Sequence, residues 1–284
     1  MTTAQISDTF SIGGDLPVHR LGYGAMQLPG PGVWGEPADR AAAVRVVKAA
    51  IEQGVDFIDT ADSYGPEVSE QIIAEALHPY PENLVIATKA GLTRQGPGIW
   101  TPVGRPAYLK QQVELSLRHL KVDRIDLIQL HRIDAEVPLA DQLGAFAELK
   151  EEGKVRHIGV SEVSVDELKA AREITEIVSV QNLYNLTTRQ SQDVLDYATA
   201  EGIAFIPWFP IATGDLASPE SPVADIAREL DATPSQVALA WLLQKSPVIL
   251  PIPGTKSVDH LTENLGAANL TLSDEDMTRL DALA

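Results

Sequence analysis

The sequence lacks cysteine, has few basic residues for its length and contains no long uninterrupted apolar run. Without cysteine it has no disulfide framework, thiolate nucleophile or zinc–thiolate site. Its 22 Lys and Arg residues stand against 40 Asp and Glu residues, giving a formal charge of −18. Nucleic acid and anionic membranes demand clustered cations, so neither is expected as a partner. No apolar run reaches the roughly 18 residues that span a bilayer, and the first residues lack the basic and apolar regions of a secretory signal. We therefore expect a cytoplasmic protein.

The chain offers instead an alternation of short apolar segments with longer stretches of helical periodicity. After the first segment, for example, Val44, Val47, Ile51 and Val55 recur at helical spacing. Because eight β-then-α units close a parallel barrel, we predict a single α/β domain over residues 1–284 with the (β/α)8 TIM-barrel fold. The apolar segments are residues 21–26, 57–61, 84–91, 125–131, 155–161, 177–183, 204–210 and 248–254.

Two smaller elements are predicted outside the repeating units. Residues 9–19 contain Gly-Gly-Asp between short polar–apolar runs, which predicts a β-hairpin ahead of the barrel. Residues 273–284 predict a short C-terminal helix.

Four polar side chains lie at or just beyond the ends of three successive predicted strands: Asp59, Tyr64, Lys89 and His131. Active sites of parallel barrels are built from these strand ends, so we expect the four side chains to converge. An ammonium group beside Tyr64 would lower the phenol pKa towards its working range, and Asp59 would keep that ammonium charged. A neutral His131 would donate a hydrogen bond to a carbonyl group. The set predicts protonation of a carbonyl oxygen.

Each of the four residues also has a simpler interpretation. Asp59 and Lys89 would then be a structural ion pair, His131 the cap of a strand, and Tyr64 a packed ring in a turn. Four complementary groups at one end of one barrel favour the catalytic interpretation.

The sequence gives no support for two other nucleotide-dependent folds. A Rossmann domain opens with G-x-G-x-x-G between a strand and a helix, whereas Gly22-Tyr23-Gly24 is followed by a loop. No tyrosine has a lysine four residues later, so the Tyr-x-x-x-Lys pair of short-chain dehydrogenases is also absent.

The chain resembles the aldo-keto reductase superfamily over nearly its whole length. The family pattern G-x-x-x-x-D-x-A-x-x-Y is matched by Gly54, Asp59, Ala61 and Tyr64. The T-K and L-H motifs of the third and fourth strands are matched by Thr88-Lys89 and Leu130-His131. The resemblance implies carbonyl reduction with Tyr64 as the general acid, Lys89 and Asp59 tuning it, and His131 orienting the substrate.

The resemblance also implies a nicotinamide cofactor that lies extended across the barrel mouth. Ser161 and Gln181 would bind its carboxamide, and Trp208 would stack on its ring where the family usually has tyrosine. Glu162 replaces the family's asparagine and would keep an acceptor near the carboxamide but lose a donor. Further cofactor positions implied by the resemblance are Gly24, Met26, Asp59 and Asn264.

A phosphate site is predicted between the last strand and the following helix, at Gly254, Thr255, Lys256 and Ser257. His260 stands where the family often has arginine. Since Lys256, His260 and the two hydroxyls suit a 2′-phosphate, we expect NADPH, with NADH the less favoured cofactor.

The substrate predictions rest on loops. Trp34 and Trp100 lie on glycine- and proline-rich loops and are candidate pocket walls. The chain ends at Ala284 without the C-terminal loop of longer family members, so we expect an open pocket for small or aromatic aldehydes, with pyridoxal a candidate substrate. We expect a small-molecule carbonyl substrate, no metal and a monomer.

Two other functions stay open from the residues alone. Lys89 would serve as a Schiff-base nucleophile in an aldolase-like barrel enzyme. Alternatively, the barrel would bind a nicotinamide cofactor without catalysing a reaction.

Overall fold

A computed structural model describes residues 8–211 and 222–283, in which parallel strands form a curled sheet surrounded by helices. The strands of the described residues are β1 (Thr9–Ile12), β2 (Leu16–His19), β3 (Tyr23–Gly24), β4 (Phe57–Asp59), β5 (Val85–Ala90), β6 (Leu92–Gly96), β7 (Ile99–Pro102), β8 (Ile125–Leu130), β9 (Val155–Ser161), β10 (Ser179–Gln181) and β11 (Ala204–Phe205). Seven of them form one parallel sheet in the order β11-β10-β9-β8-β5-β4-β3, and they correspond to seven of the eight strands of a (β/α)8 barrel.

The eighth predicted strand is an extended segment, residues 248–253, that joins the two edges of the sheet. Leu250 N donates to Phe205 O at 2.8 Å on one side, and Gly22 N donates to Pro251 O at 2.9 Å on the other. Pro251 has no N–H to return, so a regular ladder does not form there. The hydrogen bonds nevertheless close the barrel where the sequence predicts.

Helices follow the strands as predicted, and several begin at side-chain caps. Ser164, Thr233 and Ser273 each form a capping box with the side chain three residues later, which satisfies otherwise unpaired N–H groups. The helices are α1 (Arg40–Glu52), α2 (Val68–Leu77), α3 (Pro106–Leu120), α4 (Leu139–Glu151), α5 (Val165–Ile174), α6 (Gln192–Glu201), α7 (Pro222–Glu229), α8 (Pro234–Lys245), α9 (Val258–Leu265) and α10 (Asp274–Asp281). Within the described ranges none of them combines the length and apolarity needed to cross a membrane.

The predicted N-terminal hairpin is present, with β1 and β2 paired antiparallel. Its Ile12, Leu16 and Val18 are buried in one cluster with side chains from several barrel strands. At its turn, Gly13 has φ +62°, and a Cβ there would lie 2.4 Å from the His157 ring, so only glycine fits. The hairpin thus packs against the barrel at a place where no predicted site residue lies.

A second hairpin, β6–β7, was not predicted. Its strands pair antiparallel with a register shift between Thr93 and Gly96, and only Pro97 and Gly98 connect them. This glycine- and proline-rich stretch was expected to be a loop, because its residues show no clear alternation of apolar and polar side chains. The hairpin carries Trp100 into the region beyond the strand ends.

Candidate active site

A buried ion pair lies at the C-terminal ends of β4 and β5. Lys89 Nζ donates to Asp59 Oδ1 at 2.6 Å and to the carbonyl oxygen of Thr60 at 2.8 Å. Asp59 Oδ2 accepts hydrogen bonds from Gln181 Nε2 at 2.8 Å and Gln129 Nε2 at 3.2 Å. Lys89 is 0% exposed and Asp59 2%. Because each charge has close partners, the pair can remain ionised despite its burial.

The pKa of Lys89 is raised. Burial works to lower that pKa, but the charge of Asp59 and the neighbouring Tyr64 outweigh it. The ammonium therefore stays protonated at neutral pH. This state opposes the Schiff-base alternative, which needs a neutral amine.

Tyr64 is 5% exposed, and Lys89 Nζ lies 5.2 Å from the centroid of its ring. Burial raises the pKa of the Tyr64 phenol, and the nearby ammonium of Lys89 works in the opposite direction without cancelling it. Lys89 thus lowers the pKa of Tyr64, as predicted, but the overall effect of the surroundings is to raise that pKa above its usual value. At neutral pH Tyr64 holds its proton and is ready to donate it.

His131 follows β8 directly, and its Nδ1 lies 3.2 Å from Ser63 Oγ. Its ring meets the Tyr64 ring edge-on, with centroids 6.0 Å apart. The pKa of His131 is held well below its usual range, first by burial and then by the nearby cations Lys89 and Arg132. The imidazole is therefore neutral at physiological pH, as a hydrogen-bonding group for a carbonyl requires.

Two adjoining cavities open at this end of the barrel, with volumes of about 470 and 380 Å³. Met26, Tyr64, Gln181 and Trp208 line both of them. The larger cavity also contacts the predicted cofactor residues Gly24, Asp59, Gly254 and Lys256, and the smaller one contacts Trp100, His131 and Ser161.

The larger cavity depends on a close approach between β3 and residues 252–254. A Cβ on Gly24 would lie 2.4 Å from the carbonyl oxygen of Ile252, and one on Gly254 would lie 2.7 Å from the carbonyl oxygen of Gly24. Any larger residue at either position would push these backbones apart. The two predicted glycines therefore shape the wall of the cavity.

The carboxylate of Glu162 is directed at Trp208. Its Oε1 accepts from the indole Nε1 of Trp208 at 2.6 Å and from the main-chain N of Leu183 at 2.6 Å. Glu162 thus fixes the orientation of an aromatic ring that lines both cavities. This contact was not predicted, since Glu162 was expected only to lie near the carboxamide.

The predicted phosphate segment surrounds the start of α9. Lys256 Nζ donates to the carbonyl oxygen of Pro29 at 2.9 Å, and Ser257 Oγ caps the helix by accepting from His260 N at 3.3 Å. Thr255 is buried, and its Oγ1 accepts from Ser257 N at 3.1 Å. Lys256 lines the larger cavity, whereas the exposed His260 lies outside the residues that line it. Thr255, Ser257 and the buried Asn264 also lie behind this lining.

Arg94, which the sequence analysis did not single out, joins the loops around the two tryptophans. Its guanidinium carbon lies 3.5 Å from the Trp100 ring centroid and 5.7 Å from that of Trp34. Its Nη1 donates to the carbonyl oxygens of Val33 and Ser63, both at 2.8 Å. Trp100 lines the smaller cavity, whereas Trp34 is not among the lining residues of either cavity.

Two further residues at the site were also missed. Gln129 was part of an apolar run, yet a polar residue two positions before His131 in a buried strand was a usable signal. Arg132 was not singled out in the sequence either, but it lines the smaller cavity.

Comparisons with known proteins identify a family and several relatives of this chain. The family model described as "Aldo/keto reductase family" matches residues 20–284. Pyridoxine 4-dehydrogenase of Escherichia coli is 46% identical over 98% of this chain and 99% of its own length. An uncharacterised oxidoreductase of Schizosaccharomyces pombe is 52% identical over 94% of this chain and 87% of its own. The crystal structure of an aldo-keto reductase from Klebsiella pneumoniae in complex with NADPH superposes with a TM-score of 0.84, at 26% identity, covering 98% of this chain and 95% of that one.

Proposed function

The chain belongs to the aldo/keto reductase family, and from this premise we propose that it is an NADPH-dependent reductase of small or aromatic aldehydes. The observation that carries the proposal is the convergence of three side chains: Lys89 Nζ lies 5.2 Å from the ring centroid of the buried Tyr64, and the His131 ring centroid lies 6.0 Å from it. The raised pKa of Tyr64 and Lys89 and the lowered pKa of His131 favour a phenol, an ammonium and a neutral imidazole, the states that carbonyl protonation needs at neutral pH.

The larger cavity suits NADPH by its chemistry. Trp208 offers an aromatic face, fixed by Glu162, for a nicotinamide ring. Gln181, which lines both cavities, and Ser161, which lines the smaller one, would bind the carboxamide where the two cavities adjoin, while Lys256 would attract the 2′-phosphate. Thr255, Ser257 and His260 would support that phosphate from the start of α9. When bound, NADPH supplies the hydride that reduces the carbonyl carbon.

The residues of this chain supply the proton and orient the substrate. Tyr64 and the neutral His131 donate hydrogen bonds to the carbonyl oxygen, and Tyr64 then transfers its proton to that oxygen. Lys89 stabilises the phenolate that remains. Asp59 keeps the ammonium charged and, through Gln129 and Gln181, in place.

The smaller cavity supports a planar substrate, and pyridoxal is a candidate. Trp100 and Trp208 provide aromatic walls on the cavity that also contains Tyr64 and His131. The similarity to Escherichia coli pyridoxine 4-dehydrogenase favours the same compound class.

NADPH absorbance followed against a panel of aldehydes, including pyridoxal, tests the proposal. We expect aldehyde-dependent oxidation of NADPH, slower oxidation of NADH, and a weaker preference for NADPH in Lys256→Ala. If borohydride trapped an aldehyde on Lys89 and no NADPH were consumed, the Schiff-base alternative would replace the reductase. If NADPH bound but no aldehyde were reduced, a non-catalytic cofactor-binding function would be favoured.

A further inference from the structure

The smaller cavity contains a cation without an anionic partner at close range. Arg132 is half-buried, and its hydrogen bonds come from Nη1, to the carbonyl oxygen of His131 at 2.6 Å and to Ser161 Oγ at 3.1 Å. Over residues 8–211 and 222–283, Nε and Nη2 of Arg132 make no hydrogen bond and the side chain forms no salt bridge. One edge of the guanidinium therefore remains available.

The carboxylate of Glu162 attracts Arg132 electrostatically but forms no salt bridge with it among the described residues, and one of its oxygens is already hydrogen-bonded. Its Oε1 accepts from both Trp208 and Leu183. Burial lowers the pKa of Arg132 despite this attraction, so the guanidinium is poorly solvated where it lies. A buried or half-buried charge is normally paired, and an anion from solution would complete this one.

Among the described residues that line this cavity, Arg132 is the one with a cationic side chain. The remaining walls of the cavity are mostly apolar and aromatic, and His131 is neutral. Arg132 is close enough to lower the pKa of both Tyr64 and His131 electrostatically. A substrate with its carbonyl at these two groups would therefore bring its other substituents near the guanidinium.

We propose that Arg132 determines substrate specificity by binding an oxyanion substituent, a carboxylate or a phosphate, on the aldehyde reduced at Tyr64. The proposal rests on the proposed reductase function. The free Nε–Nη2 edge is a planar fork that matches two oxygens of such a group, which an ammonium group would not do equally well.

Matched pairs of charged and uncharged aldehydes test this specificity. We would measure kcat/KM for 2-, 3- and 4-carboxybenzaldehyde against their methyl esters, and for pyridoxal 5′-phosphate against pyridoxal. The wild type should favour the charged member at least about tenfold in one or more pairs, the effect expected of a charge-assisted hydrogen bond. The ring isomers would report the separation of the two groups, and the two series would distinguish carboxylate from phosphate.

Variants assign the preference to the residue. Arg132→Met should remove the preference for the charged member while the uncharged partners are still reduced, and Arg132→Lys should retain part of it. Arg45→Met is the control for net charge, since Arg45 lies on α1 with 64% of its side chain exposed, and it should leave the preference unchanged.

Calorimetric titration of the NADPH-bound protein with benzoate and with phenyl phosphate measures anion binding without turnover. The wild type should bind one of them at least about tenfold more tightly than Arg132→Met.

Reduction of uncharged aldehydes without preference for the charged member of any pair would overturn the inference and leave the reductase function standing. If Arg132→Met lost the same factor in kcat/KM for the charged and the uncharged aldehyde of a pair, Arg132 would only support His131 and Ser161, and the inference would be wrong. If no aldehyde were reduced, the reductase proposal would fail, and the titration would still decide whether Arg132 binds the anion.

Discussion

The buried pair of Lys89 and Asp59 allows a quantitative test through Lys89→Met. Methionine keeps an unbranched side chain of similar length but removes the ammonium group. Asp59 would then retain only the amide donors of Gln129 and Gln181, at 3.2 and 2.8 Å. Because both charged groups are almost fully buried, removing one partner should cost about 3–5 kcal/mol of unfolding free energy.

The double variant Asp59→Asn/Lys89→Met removes both charges and should recover much of that loss. Replacing a whole buried pair by neutral groups is often close to neutral, so we expect the double variant to be at least about 2 kcal/mol more stable than Lys89→Met. In Lys89→Met, protonation would neutralise the buried carboxylate that has lost its partner. The difference in unfolding free energy between the double variant and Lys89→Met should therefore become smaller as the pH falls from 8 towards 5.

Urea unfolding of the wild type, both single variants and the double variant at several pH values measures these differences. The cycle gives the coupling between the two residues directly. Additive losses in the double variant, or a deficit of Lys89→Met that does not change with pH, would refute the reasoning that a buried unpaired charge is the source of the instability.

Three further predictions follow from neighbouring groups. Glu162→Gln should weaken two charge-assisted hydrogen bonds and raise the KM for NADPH roughly fivefold to thirtyfold, through loss of about 1–2 kcal/mol; an unchanged KM would contradict the role of Glu162 in holding Trp208. Because the pKa of His131 is lowered in the folded protein, a falling pH protonates this histidine in the unfolded chain before it does so in the folded one. The wild type should therefore lose stability relative to His131→Gln as the pH falls below about 6.5, and a pH-independent difference in urea unfolding would disprove this. Burial and the charge of Glu70 raise the pKa of Asp62, so the folded state binds that proton more tightly. Asp62→Asn should gain stability relative to the wild type as the pH rises above about 3.9, and parallel melting temperatures across pH would contradict it.

The convergence of the proposed catalytic residues was predictable because their positions follow from the repeating pattern. Eight apolar segments define strand ends, and Asp59, Lys89 and His131 stand at the ends of three of them. Parallel strands bring those ends to one face of the barrel. The hairpin at residues 9–19 was equally visible, because Gly-Gly-Asp marks a turn between short strands.

The direction of the pKa shift of Tyr64 was not predictable to the same extent. The sequence indicates that a lysine comes near the phenol, but not that the phenol is 5% exposed. Burial proves to be the larger effect. Arg132 escaped notice for a related reason, since the sequence does not reveal which arginines lack a carboxylate in the folded protein.

Residues that position other side chains or loops could not be predicted from the sequence either. Glu162 was expected near the cofactor carboxamide, whereas its carboxylate accepts a hydrogen bond from the indole of Trp208, 46 positions later in the chain. Arg94 donates to main-chain carbonyl oxygens that lie 31 and 61 positions before it in the chain. Such contacts depend on loop conformation, which periodicity does not define.

Single-turnover oxidation of bound NADPH by an aldehyde, compared between the wild type and Tyr64→Phe, tests the central claim most directly. Phenylalanine keeps the ring and removes only the proton donor. We predict that hydride transfer in the variant is slower by at least about 100-fold, with NADPH binding unchanged. An equal rate in the two proteins would contradict the assignment of Tyr64 as the general acid.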